Sequence, residues 1–145
     1  MNKLLIIIGV ICSFSIHAND EIKIISPEKF EVFKLKMLTQ IFVVNGNKGK
    51  KTEIFSQQMR DDIQWIYSEK IGGNKYIVIT RPMIAGAEKS RIWRIEQGKT
   101  KLIGETKCED HQIDKINYQT IEYRCFRDDT SNPLKTLEEK VLLKI

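Results

Sequence analysis

In much of this chain, apolar side chains recur at every second position, and the runs are cut by clusters of glycine and asparagine. Period two is the rhythm of a strand with two distinct faces. A helix would instead return its apolar stripe every three to four residues. Phe33, Leu35 and Met37 alternate with Lys34 and Lys36, and residues 41–44 continue as an apolar run. Asn45-Gly46-Asn47-Lys48-Gly49-Lys50 is a turn cluster, after which residues 52–57 return as a partner strand. Ile63, Trp65 and Tyr67 are expected on one face of the next strand. Ile71-Gly72-Gly73-Asn74 turns the chain, and Tyr76, Val78 and Thr80 come back on the matching face. Centring that turn on Gly72-Gly73 sets Tyr67 opposite Val78 and Trp65 opposite Thr80. Ile66, Ile77 and Ile79 make the opposite face apolar as well. A sheet apolar on both sides must be covered on both. The expected fold is therefore all-β, an antiparallel meander of hairpins forming a small sandwich or barrel.

Pro82 ends this ladder and leads into Met83-Ile84-Ala85-Gly86-Ala87, an apolar stretch without strand rhythm. A third hairpin is expected over residues 91–96 and 99–105 around Gln97-Gly98. It sets Trp93 opposite Leu102 and Ile92 opposite Ile103. Asp128-Asp129-Thr130-Ser131-Asn132-Pro133 is a further break. Val141, Leu143 and Ile145 favour a terminal strand, although Leu137 and Val141 also fit one helical turn.

Residues 1–18 read as a secretory signal peptide: Lys3 precedes an uncharged apolar run from Leu4 to Ile16, and small Ala18 stands at the expected cleavage point. Ile11 stands before Cys12 where lipidation needs a small residue. The run is short for a membrane span, so none is expected after cleavage. The 145 residues less 18 leave 127, one domain from 19 to 145. Removing Lys3 from 24 basic residues leaves 23 against 19 acidic ones, a modest and dispersed excess that does not argue for nucleic acid.

Cleavage leaves Cys108 and Cys125, and two cysteines in an oxidising compartment usually pair. Placed opposite each other in an antiparallel hairpin turning between Ile116 and Asn117, they set Glu109 opposite Arg124 and His111 opposite Glu122. Both pairs are charge-compatible. A looser loop would join the same cysteines without that register.

Catalytic equipment is not evident. His111 is the single histidine of the mature chain, and Cys108-Glu109-Asp110-His111 lacks the paired spacing of a structural zinc site. No serine sits in a nucleophile elbow. Asp61 and Asp62 are neighbours, so on a strand they point to opposite faces and do not converge on one bond. Gly46-Asn47-Lys48-Gly49-Lys50-Lys51 lacks the glycine spacing and the hydroxyl residue of a phosphate loop. Trp65, Tyr67 and Trp93 at strand spacing are expected in the core. No metal, cofactor or catalytic residue is therefore assigned. The remaining candidates contact a partner: Met83 and Ile84 in the apolar loop, and Lys48, Lys50 and Lys51 in the basic turn.

Ile71-Gly72-Gly73-Asn74-Lys75-Tyr76 resembles, over these few residues, the glycine, basic residue and tyrosine run of lysozyme-inhibiting β-barrels of the bacterial envelope. It lacks their preceding serine, and no family is assigned on it. A small, exported, stapled β domain without catalytic equipment leads to one functional expectation. It is a periplasmic or secreted inhibitor or immunity protein that blocks the cleft of an envelope-acting toxin or wall hydrolase. The alternative is an envelope accessory module that holds a lipid, a glycan or an assembly partner.

Overall fold

The computed structural model describes residues 21–46, 49–58, 61–83 and 89–145. Residues 1–18, expected above to be a signal peptide, lie outside the described residues, as do Lys48 and Ile84. Eleven strands follow in order: β1 (Lys23–Ile25), β2 (Lys29–Leu35), β3 (Leu38–Asn45), β4 (Lys50–Gln57), β5 (Asp61–Tyr67), β6 (Lys75–Pro82), β7 (Arg91–Glu96), β8 (Lys99–Glu105), β9 (His111–Ile116), β10 (Thr120–Asp129) and β11 (Asn132–Lys144). The described residues contain no helix. None of their elements is a helix long and apolar enough to cross a membrane.

The strands form three sheets, ordered β1-β5-β6-β7-β8, β2-β3-β4 and β11-β10-β9. All pairings are antiparallel except β1 with β5. The five-stranded sheet is central. Ile63, Ile66, Tyr76, Val78, Trp93 and Ile95 on one of its faces meet Ile41, Val43 and Phe55 of the β2-β3-β4 sheet. Tyr67, Ile77, Ile79 and Ile92 on the other meet Ile113, Ile116, Ile121, Tyr123 and Cys125. The expected two-sided burial is thus met by sandwich-like packing, with a small sheet on each face. Edge-to-face rings tie the first layer together, Phe55 on Trp93 at 5.7 Å and Phe30 on Tyr76 at 6.0 Å.

The registers differ from the sequence expectation in instructive ways. Tyr67 pairs with Ile77 and Trp65 with Ile79, one residue away from the symmetric turn, and the ladder shifts between Ile63 and Trp65. The bulge at Gln64 rotates the strand, so Ile63 and Ile66 serve the first core while Trp65 and Tyr67 serve the second. A second bulge sets Ile92 opposite Gly104 rather than Ile103, while Trp93 still faces Leu102. The run read as one strand through Met37 is a hairpin turning at Lys36 and Met37, with Lys36 at φ 51°. The terminal strand is present and begins as early as Asn132.

Cys108 and Cys125 are bonded, with Cα atoms 5.9 Å apart. They are not cross-strand partners: Cys125 pairs with His111, and Cys108 lies in the loop before β9. Asn117 Oδ1 accepts the N–H groups of Gln119 and Thr120, which places the turn later than expected. Arg124 consequently pairs with Asp114 at 2.9 Å and with Glu138 at 3.5 Å, not with Glu109.

Candidate functional site

The two outer sheets each turn one face away from the core, and the two faces are built differently. On the β9-β10-β11 sheet, Glu122 pairs with Lys115 and Leu142, Arg124 with Gln112 and Lys140, and Phe126 with Glu138. Arg124 carries two ion partners, and its guanidinium stacks 5.7 Å from the Phe126 ring. Hydrogen bonds from Arg124 hold the Asp114 carboxyl below its ordinary range. This is mainly a charged, solvated face.

The β2-β3-β4 sheet is the contrast. Ile41 and Val43 point inward, so alternation turns Leu38, Gln40, Phe42 and Val44 outward. Register then adds their partners, Leu35 beside Leu38, Phe33 and Ser56 beside Gln40, Glu31 and Glu53 beside Phe42, and Lys29 and Lys51 beside Val44. Leu38, Phe42 and Val44 are partly exposed and belong to neither core. Phe33 is 47%, Leu35 56% and Met37 59% exposed. The result is an apolar column with a polar rim. Glu31 of β2 and Lys51 of β4 bond at 2.6 Å across the central strand, beside Phe42 and Val44, and Gln40 donates to Glu53. An aromatic and aliphatic centre within a charged rim is the usual anatomy of a protein-binding patch.

Of the expected partner-binding residues, the described ones, Lys50, Lys51 and Met83, fall at two separate places. Lys51 stands on the rim of this face, level with Val44, and Lys50 is exposed beside it. Met83 is half-buried just beyond β6, where Pro82 pairs with Asp61. The Thr39 hydroxyl donates to the Asp61 carbonyl at 3.2 Å, which fixes that end of the sandwich. Val44 and Thr39 are opposite ends of β3, so Lys51 and Met83 are separated by roughly 17 Å of strand rise.

The carboxylates resolve into structural roles. Asp61 is 4% exposed; its Oδ2 accepts from the Thr80 hydroxyl at 2.9 Å and faces Arg91 at 3.5 Å. Thr80 Oγ1 in turn accepts from Trp93 Nε1 at 2.9 Å. Asp62 is exposed and pairs with Lys34 of β2 instead of joining this chain. At the opposite end Glu28 accepts the Gly72 N–H at 2.9 Å and lies beside Tyr76, whose phenol is pushed up to about 12 by burial and by that carboxylate. His111 lies edge-on to Tyr123 at 6.1 Å, with Nδ1 2.9 Å from the Glu109 carbonyl; burial pulls its pKa down. It does not meet Glu122. Among the described residues no group of three or more His, Cys, Asp or Glu side chains could hold a metal ion.

Sequence reasoning missed the open face because the turn at Lys36 and Met37 contains neither glycine nor asparagine. With that turn supplied, alternation alone would have put Phe33, Leu35, Phe42 and Val44 on one surface. No protein-family model, no curated protein and no solved structure matches this chain.

Proposed function

We propose that this chain is an exported, protein-binding inhibitor of the immunity type, which neutralises an envelope-acting toxin or a wall hydrolase. It does so by laying the open face of the β2-β3-β4 sheet across the target's active cleft. One observation carries the reading: the two outer sheets are equivalent in position, yet one faces outward chiefly with charged side chains and ion pairs, while the other sets Phe33, Leu35, Leu38, Phe42 and Val44 beside its Glu31–Lys51 pair. Exposed apolar side chains gathered on one rigid face suit a partner rather than water. The Cys108–Cys125 bond and the apolar leader support an oxidising, extracytoplasmic setting. A carrier of lipid or glycan would need room between the sheets, where Phe55 and Trp93 already meet.

Affinity capture tests this. The immobilised protein should retain one stoichiometric protein from envelope extract and suppress its lytic activity. Phe42→Asp and Phe33→Asp, which alter outward side chains, should lose that partner while melting close to the parent. Retention of no protein, or retention unaffected by both variants, would overturn the proposal.

A further inference from the structure

The central sheet ends at β8, and this edge differs from the docking face in both geometry and chemistry. Among the described residues β8 pairs only with β7. Gln97 and Gly98 both have positive φ, 50° and 74°, so Glu96 and Lys99 flank a two-residue turn of the primed type. In such a hairpin the flanking residues exchange hydrogen bonds, and pairs alternate thereafter. Ile95–Thr100 and Trp93–Leu102 are then the non-bonded pairs. The N–H and C=O groups of Thr100 and Leu102 therefore point away from β7, out of the sheet.

Side chains define what could pair there. Thr100 and Leu102 share the face of Ile95 and Trp93, towards the β2-β3-β4 layer. That layer has three strands over a sheet of five, and its Phe55 reaches Trp93 of β7. Leu102 is consequently 44% exposed and Thr100 is exposed. The other side of β8 carries exposed Lys99 and Lys101, and Lys101 faces Arg94. Lysines on an edge normally guard against indiscriminate pairing. Here they also set its sign: a second copy registered with Lys101 opposite itself is repelled, while carboxylates are attracted.

We infer that β8 is a strand-addition site for an extended acidic segment of a partner protein, with apolar residues towards Leu102 and carboxylates towards Lys99 and Lys101. Main-chain bonds at Thr100 and Leu102 supply the attachment, and alternate side chains supply the selection. The site ends where the ladder shifts before Gly104, so only a short segment fits. This inference does not rest on the docking face proposed above.

The test uses the intact protein with a blocked hexapeptide of alternating valine and glutamate, its lysine counterpart, and a glutamate peptide N-methylated on alternate amides. Amide exchange is followed by NMR. The glutamate peptide should slow exchange at Thr100 and Leu102 at least tenfold, and the other two peptides should not. Thr100→Pro removes an outward N–H that β7 does not use and should abolish the protection at Leu102. The double variant Lys99→Glu, Lys101→Glu should reverse the preference to the lysine peptide. Absent protection at these two amides at millimolar peptide would overturn the inference. So would equal response to both charges, or protection that rises with protein concentration alone, which assigns the edge to a second copy.

Discussion

Thr80 joins the two halves of a buried polar chain, and removing its hydroxyl should have a large, calculable effect. Thr80→Val keeps the side-chain shape at a site with 0% exposure, so little cavity cost is expected. Two bonds vanish, one from Trp93 Nε1 to Thr80 and one from Thr80 to Asp61, each 2.9 Å. An indole N–H left unpaired in the interior costs ~1–3 kcal/mol, and a hydrogen bond to a charged group contributes ~1.5–3 kcal/mol. Asp61 keeps Arg91 at 3.5 Å, which limits the second loss. The total is ~4 kcal/mol, a large part of the ~5–15 kcal/mol that holds a typical domain together. Urea unfolding followed by far-ultraviolet circular dichroism measures it. The discriminating control is the same change made in a Trp93→Phe background, where no indole donor is stranded; there it should cost only ~2 kcal/mol. A Thr80→Val cost below ~1 kcal/mol, or equal costs in both backgrounds, would refute the idea that this hydroxyl couples indole to carboxylate. The consequence reaches the open face, because Trp93 supports Phe55 and hence the sheet that bears it.

Replacing Cys108 and Cys125 by serine frees a loop of sequence separation 17 and should lower stability by ~3 kcal/mol, read as a fall in the urea midpoint. Tyr76 holds its proton to about 12 against an ordinary 10, and burial raises Tyr67 as well. The unfolded chain therefore ionises first; stability should be intact below pH 10 and fall as pH rises towards 12, measurable by melting across that window. A flat profile there would contradict the burial of these phenols. Gln97 occupies positive φ at the first turn position, where asparagine is preferred, so Gln97→Asn should raise stability by ~0.5 kcal/mol in thermal melts.

Local chemistry made much of this fold readable. Gly46, Gly49 and Gly98 mark turns that the chain takes, and the alternation around them identifies most of the strands they join. What failed was phase. A strand slips its faces when one residue is inserted, and neither bulge, at Gln64 nor near Gly104, has a compositional mark strong enough to announce it. The cysteines show the same limit. Their bond followed from compartment and count, but the hairpin built on it erred, because a disulfide constrains distance and not register. Asp61 and Asp62 were separable from adjacency alone, whereas the partners of Asp61 come from β6 and β7 and could not be read locally. The asymmetry of the two outer faces needs strand order and register together, so it became visible only in three dimensions.

The double burial of the central sheet has a cost that is felt before folding finishes. From Tyr76 to Thr80 every side chain is buried, which leaves an uncharged, β-branched and aromatic run with no polar face. Released from the sandwich, such a run is competent for cross-β assembly with its copies in neighbouring chains. Lys75 stands immediately before it, and Arg81 and Pro82 immediately after it. Charge and proline at these borders hinder stacking in register, the role of gatekeepers around an unavoidable hydrophobic strand. The flanks of β6 therefore belong to the chain's unfolded life, protecting solubility in the interval before the two outer sheets close over it.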